Sequence, residues 1–388
     1  MRLKILDGFR GYFLLFMMVA HVAGTLGAPI GALSHHSIGW VEDAQGFVFV
    51  SGLVVGLVYG KRLIRKGYEA VTGGVFARIG KIYRYQAMMI LGFLFATLLS
   101  AALTGMVPGA LRSYADEPVV FTLLSLLLIG SSMHMGILPM YIFYLLATPV
   151  ILTLFARGRA LTVGVTSVLL WLVAQTGTFD MLQFPLERLL AEAGHETNIG
   201  IYFDVFAWQV LYVAGLYLGW LGATERLDLS LLRRPEMRGT AAVAFAGFLA
   251  LMAFDFAVRG QWFGPDYMLN VGEERAVLSP LYVIAFAIDL FLIAWLLVAG
   301  PESGNRLIVI AAGGLAWLMT RPWLMLLGRH SLEVFVTHIV TVYAVAIWAE
   351  GRDIPISVAN SLVLISLLPL FAVAWLREES ARRQKALA

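Results

Sequence analysis

Long, almost uninterrupted runs of apolar residues limit what this chain can fold into. Leu281–Ala299 is one such run, and Val119–Leu128, Leu161–Val173 and Ala241–Phe254 are others. Crossing the hydrocarbon layer of a membrane takes roughly 20 mostly apolar residues per helix. Of the 388 residues, 14% are charged, whereas a soluble domain carries about 25%. The chain lacks the charge to cover a soluble fold, so we expect an all-α integral membrane protein.

About ten transmembrane helices are predicted, together with two short apolar segments, 118–130 and 306–320. The two short segments are expected to be interfacial or half-inserted helices, because neither is long enough to cross comfortably. No soluble domain or internal repeat is evident, so residues 1–388 are predicted to form a single polytopic membrane domain. The spans are expected near 9–28, 43–60, 83–104, 137–156, 160–178, 203–221, 239–257, 279–299, 329–348 and 356–376.

The basic residues indicate how these spans are oriented. With the N-terminus in the cytoplasm, 23 of the 28 Lys and Arg residues fall on the cytoplasmic side. Such an excess is the signature of the positive-inside rule. The sequence therefore predicts a multi-pass protein of the bacterial inner (cytoplasmic) membrane with both termini in the cytoplasm. Because the basic residues cluster at helix ends, we expect membrane lipid and not nucleic acid as their partner.

The complete lack of cysteine narrows the possible chemistry. It excludes disulfides, thiol nucleophiles, iron–sulfur clusters and zinc–thiolate sites. No metal-ligand spacing, glycine-rich phosphate loop or nucleophile elbow is present either. We therefore expect no metal cofactor, and the chemistry is expected to rest on histidine and arginine.

Two polar residues in the first apolar stretch give the clearest functional signal, because polar groups inside a span are costly. Arg10 and His21 are eleven residues apart, which at about 100° each is three turns plus 20°. They share one helix face, about 16 Å apart along the axis. Arg10 is expected at the cytoplasmic mouth and His21 toward the outer side, where it can act as a general base. Alternatively, His21 is a buried structural residue that only forms a hydrogen bond with a neighbouring helix.

The second span begins with two carboxylates and contains a pair of small residues. Glu42 and Asp43 are expected near the level of His21, as catalytic groups that orient its imidazole or meet an acceptor. Alternatively they form a solvated helix N-terminus, where acidic side chains are favourable anyway. Ser51 and Gly52 let a neighbouring helix approach closely, and Ser51 is also predicted to belong to the cofactor site.

The inner connection from Lys61 to Arg84 is the densest basic segment of the chain. Seven Lys and Arg residues lie in it, which is more than orientation requires. Three of them occur at i, i+3 and i+6 and would form a slanted stripe on a helix: Arg78, Lys81 and Arg84. Such a stripe suits a ligand with several phosphates, because arginine makes bidentate contacts with them. Attraction to anionic lipid is the alternative.

Five segments occur along the chain in a characteristic order. They are Leu6-Asp7-Gly8-Phe9-Arg10-Gly11 with His21, Phe47-Val48-Phe49-Val50-Ser51-Gly52, Ile137-Leu138-Pro139-Met140-Tyr141, Phe206-Ala207-Trp208-Gln209 and Gly328-Arg329-His330-Ser331-Leu332. Together they resemble the OpgC family of the acyltransferase-3 superfamily, over essentially the whole chain. The members of that family are membrane enzymes that acylate carbohydrates outside the cytoplasmic membrane.

The resemblance implies roles for particular residues. The first helix of the superfamily carries a basic residue, ten intervening residues and an essential histidine, a spacing that Arg10 and His21 match. The superfamily's arginine motif, implied to face acyl-CoA, falls on Arg78, Lys81 and Arg84. One position departs from the pattern, because Gln45 stands where the family has an acidic residue six positions before the serine of Ser51-Gly52.

These interpretations combine into a mechanistic hypothesis for a membrane O-acyltransferase. Succinyl-CoA or acetyl-CoA binds from the cytoplasm, with its phosphates at the basic stripe and Arg10, and its thioester reaches His21. A hydroxyl of a periplasmic or extracellular glucan arrives from the outer side. His21 either takes the hydroxyl proton or first carries the acyl group itself. The resemblance suggests succinyl, but acetyl stays open, because no outer cation is obvious near His21.

A transporter or channel for a small anionic solute is the competing hypothesis. Such proteins often have inverted repeats and paired broken helices at mid-depth. This chain has no evident repeat, and its titratable residues gather in the first third. Binding of coenzyme A would distinguish the two hypotheses. The sequence leaves the oligomeric state open.

Overall fold

Helices make up all of the regular structure in the described part of the computed structural model. It describes residues 2–130, 132, 134–177, 180–195, 197, 199, 203–264 and 274–387. The helices are α1 (Arg2–Leu26), α2 (Asp43–Thr104), α3 (Arg112–Asp116), α4 (Pro118–Leu126), α5 (Ile137–Ala156), α6 (Ala160–Ala174), α7 (Asp180–Glu192), α8 (Val205–Ala223), α9 (Glu236–Arg259), α10 (Pro280–Val298), α11 (Arg306–Met319), α12 (Pro322–Arg329), α13 (Ser331–Ala349), α14 (Ile356–Ile365) and α15 (Leu368–Leu387).

Long apolar helices dominate this architecture, as the apolar runs predicted. Within the described ranges, eight helical segments are long and apolar enough to cross a membrane, the last being residues 356–384 of α14 and α15 taken together. The pair of α11 and α12 would make a ninth. These two helices meet at an angle of 51°. The predicted short segment 306–320 is thus the first arm of a bent pair, whereas 118–130 contains the nine-residue α4. The set of helices is consistent with a multi-pass membrane protein.

Two of the predicted spans, 43–60 and 83–104, lie in the 62-residue helix α2, which folds back on itself at Gly67. Gly67 has a φ of 78°, a conformation that glycine adopts without steric cost. In an unbroken helix Tyr59 and Gly74 would be about 22 Å apart. Instead, the Tyr59 hydroxyl donates to the carbonyl oxygen of Gly74 at 3.0 Å. The two arms therefore pack side by side, and the predicted connection between them is helical.

Glycines bring α2 and α8 together at very short range. A Cβ added at any of four positions would collide with a carbonyl oxygen of the opposite helix, so only glycine fits. The glycines occur as two reciprocal Gly-xxx-Gly pairs, a pattern that lets helix backbones approach closely. They are Gly52 and Gly56 on α2 and Gly215 and Gly219 on α8. The close approach predicted at Gly52 is confirmed.

Helix α1 packs against α2, α11, α12, α13 and α14. Its contact with α12 is also built on glycine, since a Cβ at Gly11 would collide with the Leu324 carbonyl oxygen. Gly328, at the other end of α12, meets the backbone of Asp7 in the same way. This close packing holds the Arg10 face of α1 beside the start of α13.

Several boundaries differ from the predicted spans. Helix α6 has 15 residues and ends before 178, a position that lies outside the described residues. The predicted span 329–348 begins two residues later, because the chain bends at His330 between α12 and α13. The last predicted span is interrupted at residues 366–367, between α14 and α15.

Candidate functional site

Three histidines from distant parts of the chain meet beside α1. Nδ1 of His21 lies 2.8 Å from Nε2 of His338, which is fully buried on α13. The ring of His134, from the connection before α5, stacks on His21 with ring centroids 4.0 Å apart. The histidine cluster of His21, His134 and His338 therefore gives His21 a fixed orientation.

The hydrogen bond within this cluster limits the proton arrangement of His21. If His21 is neutral and donates from Nδ1, its Nε2 carries a lone pair and can accept a proton. Nε2 of His21 makes no hydrogen bond with any other described residue. In this tautomer the geometry leaves one nitrogen of His21 available to a substrate.

His134 is held in a strained conformation against His21. Its φ is 69°, in the left-handed region that residues other than glycine seldom adopt. Burial, and then the charge of Arg275, lower the pKa of His134 to about 4. His134 is therefore neutral at neutral pH, and it adds no positive charge beside His21. Strain of this kind is often found at functional sites.

A narrow cavity lies beside the other polar residue of α1. The cavity is lined by two guanidinium groups, several hydroxyl groups and apolar side chains. The lining includes Arg10, Phe47, Ser51, Arg78, Tyr141, Ser331 and Phe335. Arg10 donates from Nη2 to Oγ of Ser331. Arg78 makes no hydrogen bond or ion pair with any other residue that the structure describes. The cavity thus offers one oriented and one unpaired cation to an anionic ligand.

The same two helices carry the cavity contact and the histidine contact. Arg10 and His21 lie on one face of α1, as predicted, and meet Ser331 and His338 on α13. The later residue of α1 (His21) contacts the later residue of α13 (His338). The two helices therefore run parallel where they touch. Ser331 and His338 are seven residues apart, only 20° short of two full turns. This spacing on α13 is the sequence signal that could have identified His338.

The predicted basic stripe is divided among three environments, so its members do not all face the cavity. Arg78 lines the cavity, whereas Lys81 forms a 2.8 Å ion pair with Glu333. Arg84 is exposed, and its Nε donates to the carbonyl oxygen of Gly80 on its own helix. Because the stripe is slanted, its three residues point to different sides of the helix, and each side chain has a different environment.

The two carboxylates expected near His21 contact other groups. Asp43 binds His36 and lies 3.5 Å from Nε2 of His35. Glu42 forms a capping box with Gln45 and an ion pair with Arg275 at 3.3 Å. Neither carboxylate makes a hydrogen bond or ion pair with His21, whose hydrogen-bond partner among the described residues is His338, and a role for them in meeting the acceptor stays a prediction.

The described fold has long apolar helices, a basic cavity at one end of α1 and a histidine cluster farther along it. This arrangement is consistent with a multi-pass membrane protein that has a buried polar centre. The family model of the OpgC protein matches residues 2–382, so the chain belongs to the OpgC protein family. No curated protein and no solved structure matches the chain.

Proposed function

We propose that this protein is a membrane O-acyltransferase that moves an acyl group from cytoplasmic acyl-CoA to a hydroxyl of an external glucan. Membership of the OpgC family suggests a glucan-modifying acyltransferase. The observation that carries the proposal is the 2.8 Å contact between His21 and His338. It lies on the two helices that also hold Arg10 and Ser331 at the cavity. Kinship with the acyltransferase-3 superfamily is part of the proposal.

In the proposed reaction His21 is the general base. Its Nδ1–H donates to His338, so the lone pair on Nε2 takes the proton of the glucan hydroxyl. The hydroxyl oxygen attacks the thioester carbonyl, the carbon–sulfur bond breaks, and the coenzyme A thiolate leaves. The proton then passes from His21 to the thiolate, which restores the neutral imidazole. A positioned base of this kind contributes roughly 10²- to 10⁴-fold to the rate.

The cavity beside Arg10 is the proposed binding site for the phosphates of acyl-CoA. Arg78 is the strongest candidate, because it lines the cavity and has no partner among the described residues. Guanidinium groups bind phosphate through paired hydrogen bonds. Ser51 and Arg10 line the same cavity, whereas Lys81 is neutralised by Glu333. The distance of about 16 Å along α1 is then spanned by the arm that carries the thioester.

The acyl group is proposed to be succinyl. Arg275 supports this choice, because its charge acts on His134, and His134 stacks on His21. A cation in this position suits the free carboxylate of a succinyl donor. Glu42 is the present partner of Arg275, so the succinyl carboxylate would compete with Glu42 for it. An acetyl group has no free carboxylate that could pair with this cation.

The proposed location is the inner membrane, with both termini in the cytoplasm. The eight long apolar helices and the distribution of basic residues support this topology. Reporter fusions at each terminus test it, using a pair of enzymes that are active on opposite sides of the membrane. Activity of an external reporter at either end would contradict the proposal.

The central experiment measures acyl transfer in membranes that contain the wild type or His21→Ala. Labelled succinyl-CoA or acetyl-CoA is supplied on the cytoplasmic side, and mass spectrometry of the glucans detects the product. His21→Ala should abolish transfer while the protein still inserts. His195→Ala is the control, since His195 contacts Glu117 at 3.1 Å and not the histidine cluster. Full activity of His21→Ala would refute the proposed base.

A further inference from the structure

The connection between α1 and α2 gathers three potential metal ligands outside the histidine cluster. His35 and His36 lie in a short 3₁₀ turn, and Asp43 is the first residue of α2. One nitrogen of each histidine and a carboxylate oxygen of Asp43 all lie within 4.8 Å of one another. We propose that these three side chains bind a zinc ion, with water as the fourth ligand.

The spacing of one pair of ligand atoms fits this ion closely. Zinc–ligand bonds of about 2.0–2.1 Å in a tetrahedron place neighbouring ligand atoms about 3.4 Å apart. Nε2 of His35 and Oδ1 of Asp43 are separated by 3.5 Å. Two histidines and one carboxylate are a typical ligand set for zinc, and three protein ligands leave a position for water.

Two of these potential ligand atoms have no hydrogen-bond partner among the described residues. Nε2 of His35 and Oδ1 of Asp43 are buried and make no hydrogen bond within the described part of the chain. The Asp43 side chain is 1% exposed. Buried polar atoms are nearly always paired, so two that face each other without a partner indicate a missing third group. A cation between them satisfies both.

A second layer of contacts holds the ligands in place. The Tyr12 hydroxyl lies 3.2 Å from Nδ1 of His35. Nδ1–H can donate to it, which leaves Nε2 free to bind metal, as outer-shell partners of zinc-bound histidines usually do. The backbone oxygen of His36 accepts from Arg259 at 2.6 Å, and Asp255 accepts from Gly39 at 3.3 Å. The turn is therefore anchored from both α1 and α9.

Metal binding exchanges one proton for one ion. Binding starts from the imidazolium form of His36, which carries a proton on each ring nitrogen and whose Nε2–H donates a hydrogen bond to Oδ2 of Asp43. Zinc replaces this proton and takes the freed nitrogen lone pair, and the proton leaves to solvent. The ion then ties the end of the α1–α2 connection to the start of α2. The energy of metal binding is thus added to the stability of the fold.

The experiment uses the full-length protein in detergent, without a histidine tag and stripped of metal by a chelator. Zinc chloride is added, unbound metal is removed, and the zinc content is measured by mass spectrometry. We expect one zinc ion per chain and a higher melting temperature. His35→Gln and Asp43→Asn should each lose the zinc, whereas His195→Gln should retain it, although His195 also contacts a carboxylate.

Two further measurements guard against misfolded variants. Tyr12→Phe keeps all three ligands and should weaken zinc affinity by roughly 10- to 100-fold, the usual effect of losing an outer-shell partner. Cobalt(II) bound to the wild type should give the visible absorption of a tetrahedral site, and zinc should displace it. The proposal is overturned if the stripped wild type takes up no zinc. It is also overturned if His35→Gln keeps the zinc while His338→Gln loses it.

Discussion

Nδ1 of His21 and Nε2 of His338 lie 2.8 Å apart, although 317 positions separate the two residues in sequence. The contact joins the first helix to the thirteenth. It fixes which nitrogen of His21 faces a neighbouring side chain and which is left for a substrate. Its effect on reactivity is therefore open to direct measurement.

Replacement of His338 by Gln should slow acyl transfer without weakening donor binding. Gln can accept a hydrogen bond from His21, but it lacks the rigid imidazole ring that fixes the orientation. We expect kcat to fall by at most the roughly 10²- to 10⁴-fold that a positioned base contributes, with KM for the donor unchanged. The pH profile of kcat should also move, which a purely structural role for His338 would not cause. An unchanged profile and rate would show that His338 does not position His21.

Coenzyme A should raise the melting temperature of the purified protein if the cavity binds it. A ligand at 100 times its Kd stabilises the folded state by about 2.7 kcal/mol. Arg78→Gln should reduce this shift, because Arg78 lines the cavity. Arg84→Gln is the matched control from the same basic stripe, and its shift should equal that of the wild type. No shift in the wild type would favour the transporter hypothesis.

Arg275→Gln should distinguish between the two candidate donors. A hydrogen bond to a charged group contributes about 1.5–3 kcal/mol. We therefore expect kcat/KM for succinyl-CoA to fall by about 10- to 100-fold, with little change for acetyl-CoA. Arg352→Gln serves as the control, because Arg352 stacks on Trp348 instead. Equal losses with both donors would exclude a selective role for Arg275.

The low pKa of His134 predicts a specific dependence of stability on pH. In the unfolded chain this histidine has a pKa near the ordinary value of 6.5, whereas in the folded protein its pKa is about 4. The unfolded state therefore binds more protons between these values, so the contribution of His134 to stability is complete above about pH 6.5 and is lost as the pH falls toward 4.

Melting temperatures of the wild type and His134→Asn, measured across this pH range, test the effect. Asparagine tolerates a positive φ, so the backbone should be preserved. The wild type should lose more stability than the variant between pH 6.5 and 4. Equal slopes would show that His134 titrates normally in the folded protein.

Gly52→Ala should destabilise the protein, because the added methyl group meets the Tyr212 carbonyl oxygen. Forcing extra atoms into a close-packed contact typically costs 1–3 kcal/mol. Gly92→Ala is the control on the same helix, since its added Cβ would contact nothing within 4 Å. That variant should match or exceed the wild type, because alanine favours helix over glycine. Equal melting temperatures for the two variants would contradict the packing argument.

Local patterns in the sequence predicted most of the helices. The span predicted from the apolar runs has the same bounds as α5. The predicted bounds of α8, α9 and α10 differ from the observed ones by only a few residues. The two arms of α2 were predicted as separate spans, but the helical connection between them was not. The basic residues in 61–82 suggested a connection, whereas they continue the helix on either side of Gly67. The break at His330 was also missed, since it depends on how α12 packs against α1.

The sequence alone determined that the chain is apolar and helical, and that Arg10 and His21 share one face of the first helix. Helical periodicity is a local property, so two residues eleven positions apart can be placed by counting turns. The tertiary structure decided which groups meet these residues: His338 and not a carboxylate beside His21, Arg78 and not Arg84 at the cavity, and Asp43 with His35 and His36. Such contacts depend on how closely whole helices approach, and no periodicity within one helix contains that information.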